Sequence, residues 1–65
     1  MILRDLLLTT NFSQNIKVKT VYEESIIAEG LPLDLLNDAA LKNCMMDDLT
    51  KIFVDKDSGS LVVVL

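Results

Sequence analysis

Residues 47–65, "DDLTKIFVDKDSGSLVVVL", decide how this chain folds. Residues 49–54 read as a strand, "DKDSGS" (55–60) as a turn and residues 61–65 as a second strand. Asp57, Ser58 and Gly59 are turn formers, and Gly59 supplies a positive φ at little cost. The product is a β-hairpin. Its second strand reads Leu61, Val62, Val63, Val64, Leu65, apolar at every position. A strand with apolar residues on both faces is covered on both sides or lies centrally in its sheet.

Working back from the hairpin, "LPLDLLNDAALKNCM" (31–45) starts as a helix. Pro32 suits a first helical turn, and Asp34 favours the positive end of the helix. Asn37 and Asp38 are poor helix interiors, so the segment divides into a helix over 32–37 and a loop beyond. Further back, "NIKVKTVYEE" (15–24) alternates. Ile16, Val18 and Thr20 share one face and Lys17 and Lys19 the other, as in a strand with one wet side. "EES" (23–25) gives the polar break of a turn, and "SIIAEG" (25–30) returns as the partner of an antiparallel hairpin. At the start, Ile2, Leu3, Leu6 and Leu7 recur at helical spacing, opposite Arg4 and Asp5. That is an amphipathic helix of about two turns, too short to stand without packing. The expected fold is a single α+β domain over 1–65, in the order α-β-β-α-β-β. It has a four-stranded, mainly antiparallel sheet with two short helices.

Sixty-five residues bury only about 60% of the surface that the unfolded chain exposes, so a domain of this size usually needs a staple. A disulfide within the chain and a zinc site are both poorly served, with Cys44 the one cysteine and no histidine. A lone thiol suits a reducing cytoplasm and a buried apolar role. Self-association remains, and a homodimer is expected. Two short helices cover both faces of one sheet only from opposite sides; otherwise a second copy must cover the dry face of the second hairpin.

The charge balance is −4, from ten carboxylates against six basic groups, which repels phosphate backbones. One tyrosine and two phenylalanines offer little for base stacking. Nucleic acid is therefore not an expected partner. The opening "MILRDLLLTT" is broken by Arg4 and Asp5, lacks a basic leader and reaches no membrane-spanning length, so no membrane partner is expected. The expected location is the cytoplasm.

Catalytic chemistry is sparse in this pattern. Without histidine the usual base for a serine or cysteine nucleophile is missing. Glu23–Glu24, Asp47–Asp48 and Asp55–Asp57 are carboxylate pairs, but such pairs need a cleft to split their pKa values, and they read as solvated turn and edge charges. "DKDSG" does not fit a calcium loop, because Gly59 stands fifth rather than sixth and the twelfth position falls beyond Leu65. Two glycines make no phosphate loop. The expectation is a protein that is not an enzyme and carries no cofactor and no metal.

What remains is binding. Methionine is adaptable and over-used on binding surfaces. Met45 and Met46, with Asp47 and Asp48 beside them, are therefore candidate partner-binding residues. Val62 and Val64 of the terminal strand join them.

The element order, "GLPLDLL" (30–36) before the second helix and "IFVDKDSGSLVVVL" (52–65) at the end resemble very small uncharacterised phage and prophage proteins of Gram-positive bacteria. Those open on a short Leu-rich helix, carry a central Pro-acidic-Leu helix and close on an acidic hairpin. This chain departs from them in its longer "NDAALKNCMMDD" (37–48). The resemblance implies a phage- or mobile-element-encoded interaction module, one that sticks to a host defence protein and inhibits it. Imitation of nucleic acid is disfavoured, because no acidic block of five or more appears. Two other readings stand beside it: a small-molecule binder with its site at an oligomer interface, and a structural or assembly protein.

Overall fold

The computed structural model describes the backbone of residues 1–65 and every side chain except that of Glu24. In chain order it forms α1 (Leu3–Thr9), β1 (Ile16–Thr20), β2 (Glu23–Gly30), α2 (Pro32–Leu36), a 3-10 turn (Ala39–Leu41), β3 (Lys51–Val54) and β4 (Leu61–Val64). The α+β class and the element order are as expected, and the sheet is four-stranded.

The sheet is mixed rather than mainly antiparallel, which corrects the sequence expectation. Its order is β2-β1-β4-β3, with β1 and β4 parallel in the middle and an antiparallel hairpin partner outside each. The reason lies in β4, whose apolar residues on both faces favour a central place with neighbours on either side. The chain therefore leaves β2 at one edge, passes through α2 and enters β3 at the far edge. Returning from there, β4 meets β1 in parallel. Bonds at the two ends of this pair extend it: Asn15 C=O accepts from Leu61 N–H (2.9 Å), and Lys19 C=O from Leu65 N–H (2.8 Å).

Both helices pack on one face. Leu3, Leu6 and Leu7 of α1 and Leu35 of α2 form a single core with Leu41, Ile16, Val18, Ala28 and Val63. Neither helix is long enough to be stable alone, so this burial holds them. The amides at the start of α1 find backbone partners instead of a side-chain cap: Leu3 N–H donates to Asp47 C=O (3.0 Å) and Arg4 N–H to Met45 C=O (2.9 Å). The expected break at Asn37 and Asp38 is present. Asp38 caps the 3-10 turn by accepting from Ala40 N–H at 2.8 Å.

The first hairpin turns earlier than "EES" suggests. Thr20 pairs with Glu23 across Val21 and Tyr22, and Glu23 already belongs to β2. Among the described residues no non-glycine has positive φ, so the Val21–Tyr22 loop is not the type I′ turn that two-residue hairpins favour. The register shifts around Lys19 absorb the misfit as β-bulges. The second hairpin is as expected, closed by Asp55 N–H to Ser60 C=O (2.8 Å) and Gly59 N–H to Asp55 C=O (2.7 Å).

Candidate functional site

The face away from the helices is built by alternation. Val63 points into the core, so Val62 and Val64 point to the other side, together with Lys17 and Lys19 of β1 and Lys51 and Phe53 of β3. Val62 and Val64 are nevertheless only 6% and 7% exposed. With both helices on the opposite face, their cover comes from the flanking strands. Lysines lay their alkyl stems along apolar surface and keep the ammonium in water. Lys17 goes furthest: it reaches Asp55 Oδ2 at 3.3 Å, just past the end of β3 on the far side of β4. Lys51 sits over the Phe53 ring, 5.0 Å from its centroid.

Asp55 is the polar hub of this face. Its Oδ2 accepts from Ser58 Oγ (3.0 Å) and Lys17 Nζ, and its Oδ1 from Asp57 N–H (3.1 Å). Those donors, Ser58 first, hold its carboxyl below the ordinary aspartate value. Asp55 and Asp57, one of the three carboxylate pairs in the sequence, thus shape a turn.

The residues expected to bind a partner fall on opposite sides of the molecule. Met45 is half-buried and packs against the helix-side core, whereas Met46 is 70% exposed. The backbone of residues 45–48 serves the amino-terminal segment, through the bonds to Leu3 and Arg4 and a bridge between Ile2 and Asp48. Asp47 and Asp48 are exposed, and Asp48 lies 4.0 Å from the amino terminus of Met1. Val62 and Val64 lie behind the sheet under their lysine cover. The fold does not bring these two groups together.

A different surface stands out at β3. Its four residues are all exposed, although three of them are apolar. Ile52, Phe53 and Val54 are 44%, 40% and 59% exposed. The strand is at the sheet edge, bonded on one side to β4. The bond from Asp55 N–H to Ser60 C=O sets the phase of this antiparallel ladder. Residues 51, 53 and 55 therefore turn their amides and carbonyls toward β4, while those of Ile52 and Val54 point outward. The opposite edge differs, because β2 is bulged and carries Glu23 and Glu29, two devices that blunt strand edges. Sequence reading missed this asymmetry, since a run of apolar residues looks the same in an edge strand and a central one. The one available signal was the charge on either side of the run, Lys51 and Asp55.

Among the described residues no cavity opens, and no three potential metal-ligating side chains gather. No helix among the described residues is long and apolar enough to cross a membrane. No family model, no curated protein and no solved structure matches the chain.

Proposed function

We infer that this chain is a non-enzymatic protein-interaction module that takes its partner onto the open edge of β3 by strand addition. The observation that carries this reading is the combination found, among the described residues, at β3: outward backbone groups at Ile52 and Val54 beside three exposed apolar side chains. In strand addition the main-chain bonds give affinity and the alternating side chains give selectivity. The register of β3 is regular over Lys51–Val54, the strand has no proline, and Lys51 is its one charge, so little protects the edge.

Within this reading the partner is a protein of the host cell and the effect is inhibitory, as the resemblance to small phage proteins implies. The test is binding to proteins in a lysate of the expressing cell, with Val54→Pro and Met46→Lys compared against the unchanged chain. Proline removes an outward donor without taking a bond from the β3–β4 ladder. A partner lost with Val54→Pro and kept with Met46→Lys supports the reading. A partner kept by Val54→Pro, or lost only with Met46→Lys, overturns it and moves the site to residues 45–48.

A further inference from the structure

The segment Lys51–Ile52–Phe53–Val54–Asp55 is chemically palindromic. Read against itself in the antiparallel sense about Phe53, it sets Lys51 opposite Asp55, Ile52 opposite Val54 and Phe53 opposite Phe53. We propose that a second copy of this chain docks on β3 in this register, joining two four-stranded sheets into one of eight strands. The proposal rests on β3 being a docking edge, for which a second copy competes with the foreign partner.

The hydrogen-bonding phase limits the alternatives. Outward groups at Ile52 and Val54 must meet outward groups of the partner, which leaves three pairings: 52 with 52, 52 with 54, and 54 with 54. The 54–54 pairing sets Phe53 against the partner's Asp55 and Ile52 against the partner's Lys56, leaving apolar groups against charges. The 52–52 pairing sets Phe53 against the partner's Lys51 and leaves Val54 facing the partner's Thr50. Only the 52–54 pairing matches apolar with apolar and opposite charges with each other at every position. It is also self-complementary under a two-fold axis, as an isologous dimer requires. Its Lys51, Phe53 and Asp55 pairs lie on the lysine-covered face, and its Ile52–Val54 pairs on the helix face. Asp55 retains an acceptor site for the partner's Lys51, since its Oδ1 takes one bond within the chain. A contact of five residues per chain is smaller than the roughly 1,000 Å² of a durable interface, so the dimer forms and dissociates with concentration.

Sedimentation velocity on the full chain from micromolar to millimolar concentration tests this. The expected result is a sedimentation coefficient that climbs from the monomer toward the dimer value, and that stays at the monomer value in Val54→Pro and in Lys51→Asp. Circular dichroism confirms that each variant is folded, and Lys51→Asp carries the test if Val54→Pro is not. Register is read separately in Ile52→Cys, Phe53→Cys and Val54→Cys, each combined with Cys44→Ser. Under mild oxidation the position 53 variant should cross-link fastest, because residue 53 faces itself in a pair whose Cβ atoms lie about 4.5–5.5 Å apart. A chain that stays monomeric at millimolar concentration overturns the dimer, and so does dimerisation untouched by both Val54→Pro and Lys51→Asp. Fastest cross-linking at 52 or 54 overturns the register. A monomer whose foreign partner is still lost with Val54→Pro defeats the dimer alone and leaves β3 as the docking edge.

Discussion

Lys17 on β1 donates to Asp55 at the end of β3 across the whole width of β4, with 3.3 Å between Nζ and Oδ2. This bond crosses β4 diagonally, from the level of Val62 to that of Ser60, on the face that no helix covers. It explains how a short chain keeps a doubly apolar central strand out of water. The sequence reading offered helices on opposite faces or a second chain. The structure uses long side chains from the neighbouring strands, a cover that hydrophobic periodicity does not reveal.

If Lys17 works mainly as cover, its stem matters more than its charge. Lys17→Met, which keeps the stem and removes an ion pair with side chains 18% and 32% exposed, should then cost less than Lys17→Ala. Lys17→Ala uncovers Val62 and should cost about 1 kcal/mol, the scale of a few buried methylenes. Urea denaturation compares the two. Equal losses would mean that the charge, and not the stem, does the stabilising.

Asp55 should make stability depend on pH. Its carboxyl is held below the ordinary value in the folded chain, by Ser58 first, then the Asp57 amide and Lys17. A depressed folded pKa gives stability that is complete above the unfolded value of about 3.9 and fades as pH falls through the lower folded value. The stability difference between the unchanged chain and Asp55→Asn should therefore be largest at neutral pH and shrink below about pH 4. Urea midpoints across that range check it. A difference that grows on acidification would contradict the sign.

Gly59 has φ +73°, and an added Cβ would meet nothing within 4 Å. Gly59→Ala should therefore cost only the left-handed backbone penalty, about 1–2 kcal/mol. Gly59→Asn should cost less, because asparagine tolerates that conformation. Thermal unfolding measures both, and no loss in either variant would refute the turn geometry.

Val62 and Val63 are neighbours with different exits. Val63 is fully buried beneath the helices, and Val63→Asp should unfold the domain, since a 65-residue chain has only about 3–5 kcal/mol to lose. Val62 is flanked by Lys17 and Phe53 of the neighbouring strands rather than sealed beneath a helix, and these side chains can move aside and admit water. Val62→Asp should leave a folded protein with a reduced melting temperature. Circular dichroism distinguishes the two, and the same outcome for both would mean that the faces are equally sealed.

The adjacent methionines should separate in the same way. Met45→Ala removes a half-buried contact with the core and should cost about 1–2 kcal/mol, below the 2–5 of a fully buried site. Met46→Ser changes an exposed side chain and should stay within about 0.5 kcal/mol. Chemical denaturation decides, and a larger loss at Met46 would place the wrong methionine inside.

Local chemistry determined much of this protein. Helical spacing of Leu3, Leu6 and Leu7, the alternation from Ile16 to Thr20, Pro32 at a helix start, the interruption at Asn37 and Asp38, and the Gly59 turn are all short-range signals. Each produced the element it indicates, because the cause lies within a few residues of the effect. Only the tertiary structure decided which strands meet. Strand order is a competition among distant segments for two central places, and the apolar β4 took one beside β1. That single outcome made the sheet mixed and sent both helices to one face. It also left "KIFV" at the rim with its backbone open, where the same four residues in a central strand would have been buried. The separation of Met45–Asp48 from Val62 and Val64 has the same origin. Which face of a sheet a residue occupies follows from its strand, but what lies over that face is settled only when the chain has closed on itself.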